Sequence, residues 1–134
     1  MSYWLLKTEP STYSFDDLER EKKAVWDGVS NSLALKHIRD MKKGDSAFVY
    51  HSGEEKSIVG IAEIISDSYP DPKQKDPKLV VVEIKFTERV KQPVSLSTIK
   101  AREEFADFAL VRMSRLSVMP VTAGQWKSLL AMSR

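Results

Sequence analysis

The chain has 134 residues, with 21 Lys and Arg against 19 Asp and Glu, and no cysteine. That length suits one domain over residues 1–134, with a core that needs no disulfide or metal staple, and the composition excludes disulfides, thiolate catalysis and cysteine-ligated zinc. A net charge of +2 is too mild for a protein that wraps a long duplex, so any nucleic-acid footprint is expected to be small or gathered on one face.

Tyr3 to Lys7 reads as an opening strand, broken at Thr8-Glu9-Pro10-Ser11, where Pro10 pushes Glu9 to extended geometry. Ser14 caps a short helix with acids in its first turn. A basic stretch, Arg20 to Lys23, leads to Ala24-Val25-Trp26-Asp27-Gly28-Val29-Ser30-Asn31. There an aromatic precedes an Asp-Gly turn signal, and Ser30 and Asn31 are both good helix N-caps. Two readings of Trp26 stand: a core residue before a turn, or an aromatic face beside the free N–H groups of a helix N-terminus, which suits a planar polar ligand.

From Asn31 to Met41, Ala34, Ile38 and Met41 recur at helical spacing and face the core. Lys36, Arg39 and Lys43 form a basic edge, either a solvated face that complements the helix C-terminus or a set of phosphate contacts. Ala47 to His51 is a strand on which Tyr50 and Ser52 share one side and His51 takes the other. Ile58 to Ile65 is a buried strand bent at Gly60. Ser68 to Pro77, with three prolines, reads as an irregular surface loop. Leu79 to Val90 alternates, with Val82, Ile84 and Phe86 on one face. Ser95 opens a helix to about Phe105. Arg115 to Val121 is a short strand ended by Pro120, with Arg115 and Ser117 on one side, and Thr122 with Gln125 is a capping box for a closing helix whose apolar stripe includes Trp126. Most strands follow one another too closely for helical crossovers. The fold class is therefore α+β, with a mostly antiparallel sheet curled toward a small barrel and short flanking helices.

His37 and His51 are too far apart for a local metal pair, and no metal or cofactor is expected. No apolar run is long enough for a signal peptide or a membrane span, so a soluble cytoplasmic protein without a membrane partner is the expectation.

Lys7-Thr8-Glu9-Pro10 with Tyr13-Ser14, Trp26-Asp27-Gly28-Val29 with Asn31, Met41 to Asp45, Tyr50-His51-Ser52, Val59 to Glu63, Tyr69-Pro70-Asp71-Pro72 and Arg115 to Val118 together closely resemble the EVE domain, in order and approximate spacing, across nearly the whole chain. The resemblance implies a PUA-like barrel related to the YTH domain, and a partner that is a nucleic acid, DNA or RNA, carrying a modified base. It places Lys7, Thr8 and Glu9 along one wall of a base pocket; Trp26, Val29, Asn31, Tyr50, His51, Ser52, Arg115 and Ser117 are the candidates for the rest. The basic edge of Lys36, Arg39 and Lys43, read from the helix pattern rather than from the family, is the candidate for phosphates. Where the family pattern reads Trp-Asp-Gly-Val-Arg-Asn-Tyr-Gln-Ala-Arg-Asn, this chain has Ser30, Ser32, Leu33, Leu35 and Lys36 in place of the first Arg, Tyr, Gln, second Arg and last Asn. The segment after Pro77 is also short for the family. A competing reading is a hydrolase of PUA-like fold in which Lys7, Glu9, Tyr50 and His51 supply acid, base and electrophilic groups.

Overall fold

The computed structural model describes all of residues 1–134. Its strands are β1 (Tyr3–Thr8), β2 (Lys23–Trp26), β3 (Ser46–His51), β4 (Ser57–Ile64), β5 (Tyr69–Pro70), β6 (Val80–Ser95) and β7 (Val118–Val121). The helices are α1 (Phe15–Glu21), α2 (Ser32–Asp40), α3 (Leu96–Lys100), α4 (Ala109–Arg112) and α5 (Ala123–Met132), with a 3₁₀ turn at Glu103–Phe105.

The strands form one sheet in the order β2-β6-β4-β3-β1-β7, with the short β5 also paired to β6. Only β1 and β3 run parallel; every other pairing is antiparallel. The parallel pair follows from connectivity, since α1, β2 and α2 lie between those strands and carry the chain back. In a flat sheet β1 and β2, four strand spacings apart, would be separated by about 19 Å. Residues of both instead line a single cavity, so the sheet curls. Irregular register at Val49/Tyr50, Ile58/Gly60 and Ile61/Ala62 supplies the bends that curling needs. The edges β2 and β7 are not hydrogen-bonded to each other, which leaves a curled α+β sheet rather than a closed barrel.

Short-range signals produce the helices as expected. Ser14 and Thr122 head reciprocal capping boxes with Asp17 and Gln125, and Asn31 Oδ1 accepts from the N–H groups of Leu33 and Ala34, both at 3.0 Å. Ala34, Ile38 and Met41 are buried in the core. The bend at Gly60 has a packing role: the ring of the fully buried Phe15 lies where a Cβ would stand, with ring carbons 2.1 Å from that position.

Several expectations change. The strand expected from Arg115 begins only at Val118, and the one expected to end at Val90 runs on to Ser95. The helix from Ser95 stops at Lys100, because Arg102 takes an extended backbone; the chain turns there so that both Phe105 and Phe108 are buried, 5.8 Å apart. The proline segment is not wholly irregular, since Tyr69 and Pro70 pair with Val81 and Val80. Pro120 does not end its strand but lies inside β7 opposite Trp4; β7 is an edge, so the missing N–H leaves no neighbour unpaired. Trp126 sits half-buried at the margin of the core, stacked on Tyr3 and Phe48 at 4.6 and 4.0 Å between ring centres. No helix is long and apolar enough to cross a membrane.

Candidate functional site

The C-terminal end of β1, the turn after it, and the end of β2 enclose a cavity of about 490 Å3. Lys7, Thr8 and Glu9 form one side, and Val25, Trp26, Asp27, Gly28 and Val29 form the other. Thr12 and Tyr13 fold back over the strand end because the N–H groups of both donate to Glu9 O at 2.9 Å. Ser117, just before β7, also lines the cavity; Lys7 N–H donates to its carbonyl at 2.9 Å.

Trp26 is only 8% exposed, and it pairs with Val82 across the β2–β6 ladder. Tyr13 meets it edge-on, with ring centres 6.3 Å apart and planes at 84°. The two rings therefore present apolar surfaces at right angles. Tyr13 is itself held: its hydroxyl donates to Glu21 at 2.6 Å, and its carbonyl accepts from the Thr8 hydroxyl at 2.6 Å. Burial and the Glu21 carboxylate push its phenol well above the ordinary range, so it stays a neutral hydroxyl. Beyond Trp26, Gly28 has φ +77, a backbone state that turns the chain from β2 toward α2 at little cost only in glycine.

The electrostatics are mixed. The Lys7 ammonium donates to the Ser114 carbonyl at 2.9 Å and lies 5.7 Å from the centre of the Tyr50 ring. Burial lowers its pKa below the ordinary lysine value. Two acidic residues, Glu9 and Asp27, also line the cavity, the Glu9 carboxylate lying against Gly53 and accepting from the Ser11 hydroxyl. Such a lining offers both donors and acceptors to a neutral polar ring and gives no net pull on a phosphate.

Of the residues expected at the site, Lys7, Thr8, Glu9, Trp26, Val29 and Ser117 come together on this cavity. The others lie outside its lining. Tyr50 is packed in the core under Lys7, where burial raises its phenol pKa. His51, also buried, accepts the Phe15 N–H on Nε2 at 2.9 Å and faces Glu55 with Nδ1 at 2.7 Å. That pairing requires the proton on Nδ1 and makes the imidazole a tie between β3 and α1. Of Lys7, Glu9, Tyr50 and His51, only Lys7 and Glu9 line the cavity, and both ring nitrogens of His51 are engaged elsewhere. Ser52 donates from both its N–H and its hydroxyl to Thr8 O, behind the wall. Asn31 caps α2, and Arg115 is exposed. Lys36, Arg39 and Lys43 are all exposed, with Lys36 paired to Asp40 at 3.1 Å.

Thr12, Tyr13, Val25, Asp27 and Gly28 complete the lining without having been expected there. The signal for Tyr13 lies in its spacing: a proline turn between a strand end and a helix cap returns the chain within four residues, so an aromatic next to the cap must overlie the strand end.

Comparison with known proteins gives a consistent picture. The EVE domain family model matches residues 2–132. Mouse thymocyte nuclear protein 1 is 30% identical over 165 aligned positions covering 98% of this chain and 73% of the mouse protein. That alignment is longer than this chain, so the mouse protein carries inserted segments. Among solved structures, Rpa0253 from Rhodopseudomonas palustris is 47% identical with a TM-score of 0.94, covering 99% of this chain and 93% of that one. Human THYN1 in complex with DNA containing 5-methylcytosine is 28% identical with a TM-score of 0.91, covering 100% of this chain and 98% of that one. An ASCH protein from Zymomonas mobilis, at 8% identity and a TM-score of 0.64 over 99% of this chain and 96% of that one, shares the PUA-like fold alone.

Proposed function

Because this chain belongs to the EVE domain family, we propose that it is a non-catalytic binding module which takes a modified nucleobase of DNA or RNA into the Trp26 cavity. The observation that carries this reading is the cavity itself: about 490 Å3, walled by Trp26 and Tyr13 at right angles and edged with both donors and acceptors. Its volume is in the range of small-molecule sites. A base stacks on Trp26, and the edge of Tyr13 bounds the pocket where a methyl group would lie. The human relative in complex with 5-methylcytosine DNA supports a modified pyrimidine as the first ligand to test.

The energetics set the scale of discrimination. A methyl group adds about 0.8 kcal/mol by transfer alone and separates ligands by roughly 10–200-fold in a fitted slot. Removing a base from a duplex costs a few kcal/mol, so single-stranded or distorted substrates bind more readily. Since the lining does not attract phosphate, the backbone stays outside the cavity; Lys36, Arg39 and Lys43 are exposed cations of the α2 region and the candidates for contacting it.

The test is a fluorescence titration with short single-stranded DNA and RNA carrying unmodified cytosine and adenine, 5-methylcytosine, 5-hydroxymethylcytosine or N6-methyladenine. A Trp26→Phe control separates the Trp26 signal from Trp4 and Trp126. Saturable quenching by one modified base, weakened in Trp26→Ala by about 5–150-fold as expected for the loss of one stacked base, is the expected result. Equal affinity for modified and unmodified bases throughout the panel rejects the reading.

A further inference from the structure

Gly28 and Val29 form a wall with two sides. One faces the Trp26 cavity, and the other lines a smaller hollow of about 160 Å3, completed by Ser30, Asp71, Gln74 and the Leu79, Val80 and Val81 run. The two spaces are also adjacent along β6, where Trp26 pairs with Val82 and Tyr69 and Pro70 pair with Val81 and Val80.

Asp71 gives this hollow a chemistry. It is only 7% exposed. Its N–H donates to Leu79 O at 2.8 Å, which fixes it against the start of β6, and its Oδ1 accepts from Lys73 N–H at 2.9 Å. No Lys, Arg or His pairs with it, and Oδ2 takes no hydrogen bond from the protein. Every fully enclosed side-chain nitrogen or oxygen in the molecule has a partner, so the unpaired Oδ2 keeps some accessible surface, on a residue that lines the hollow. A carboxylate this buried and without a cation gains most from an N–H donor, whereas a phosphate is repelled. The Ser30 hydroxyl and the Gln74 amide each donate and accept, and Leu79, Val80 and Val81 give an apolar floor. The volume is below that of an ordinary ligand site and accommodates the edge of one ring rather than a nucleoside.

We propose that this hollow is a second subsite, which takes the amino edge of the nucleobase adjacent to the one held at Trp26. The proposal rests on the reading of the Trp26 cavity above. Cytosine N4 and adenine N6 give Asp71 two N–H donors at the base edge, whereas thymine and uracil offer one N3–H flanked by two carbonyl oxygens that the carboxylate repels. The protein then reads two neighbouring bases, with the modified one at Trp26 and an amino-bearing one at Asp71.

The experiment is a titration of the full chain with single-stranded oligonucleotides carrying cytosine or 5-methylcytosine at a central position, with cytosine, adenine, thymine or an abasic site on either side. Two ratios come from the same data. Modified over unmodified affinity reports the Trp26 cavity, and amino over oxo neighbour reports Asp71. The wild type is expected to favour an amino neighbour on one side by about tenfold. That ratio falls to near one in Asp71→Asn, which keeps an oxygen for Lys73 N–H but replaces the carboxylate with an amide that can turn either atom to the base. It also falls in Ser30→Arg, which brings a guanidinium into the hollow against Asp71. Thermal melts establish that both variants are folded. Equal affinity for all neighbours in the wild type, with 5-methylcytosine still distinguished, overturns the subsite and leaves the Trp26 reading standing. An amino preference that survives in both folded variants overturns it as well. Absence of binding to every oligonucleotide overturns both readings together.

Discussion

Phe15 and Gly60 illustrate how much of this protein is set by single atoms. The Phe15 ring is fully buried, packed beside Phe86 at 5.2 Å, and occupies the space where a β4 side chain would otherwise stand. A methyl group at residue 60 meets ring carbons that have no free direction to move. Gly60→Ala is therefore expected to cost about 1–3 kcal/mol or more through overpacking, read as a lower denaturant midpoint at unchanged slope; an unchanged midpoint would mean that the α1 anchor shifts freely. The three tryptophans make the complementary point. The sequence puts Trp126 on the apolar stripe of the closing helix but leaves Trp26 open between core and cavity. Trp4 gives its indole N–H to Asp45 at 3.0 Å, Trp126 stacks on Tyr3 and Phe48, and Trp26 borders the cavity. What distinguishes them is a partner tens of residues away. The same applies to His51, whose ring nitrogens are taken by Phe15 and Glu55: strand alternation predicted that it points away from Tyr50, but not that it points into a helix start.

The caps behave differently, because their partners lie two or three residues off and can be read directly. Asn31 satisfies two of the free N–H groups of α2, and α2 is the helix onto which the Gly28 turn delivers the chain. Asn31→Ala should cost about 1 kcal/mol, and Asn31→Asp should restore most of it; a thermal melt that does not distinguish the three proteins would show that α2 is held by packing alone. Ser14 with Asp17 and Thr122 with Gln125 were equally readable. The elements that resisted reading are those whose ends are fixed by tertiary need. The four residues of β2 carry too little pattern to announce a sheet edge, and the stop after α3 comes from the demand to bury Phe105 and Phe108, which no cap or breaker residue signals. The cavity combines both kinds. Lys7, Thr8, Glu9, Trp26 and Val29 of its two strand-end walls were expected, whereas Val25, Asp27 and Gly28 beside them, and Thr12 and Tyr13 brought by turn geometry, were not.

At the scale of the whole molecule, Asp45 is the group through which acidity acts on the fold. Burial by itself raises its pKa, yet the Ser2 N–H, the Trp4 indole and the Lys42 N–H all donate to its carboxylate, and the balance holds it below the usual range. A carboxyl lowered on folding stabilises the native state above its unfolded value of about 4, and that contribution disappears as pH falls through the folded value. Wild-type stability is thus expected to drop steeply below about pH 4. Asp45→Asn should be less stable at neutral pH by about 1–3 kcal/mol and show a shallower acid slope. The remaining slope belongs to carboxylates such as Asp17, which the Ser14 N–H also holds low. Parallel pH curves for the two proteins would remove Asp45 from this role. The position of β1 has a further consequence. The first strand of the chain lies between β3 and β7, and Ser117, which lines the cavity, is bonded to Lys7. During synthesis on a ribosome, β1 can pair with β3 before β7 exists, and the Ser117 side of the cavity forms only once residue 117 has left the exit tunnel. A nascent chain stalled before that point holds Trp26 without the Ser117 side of the cavity.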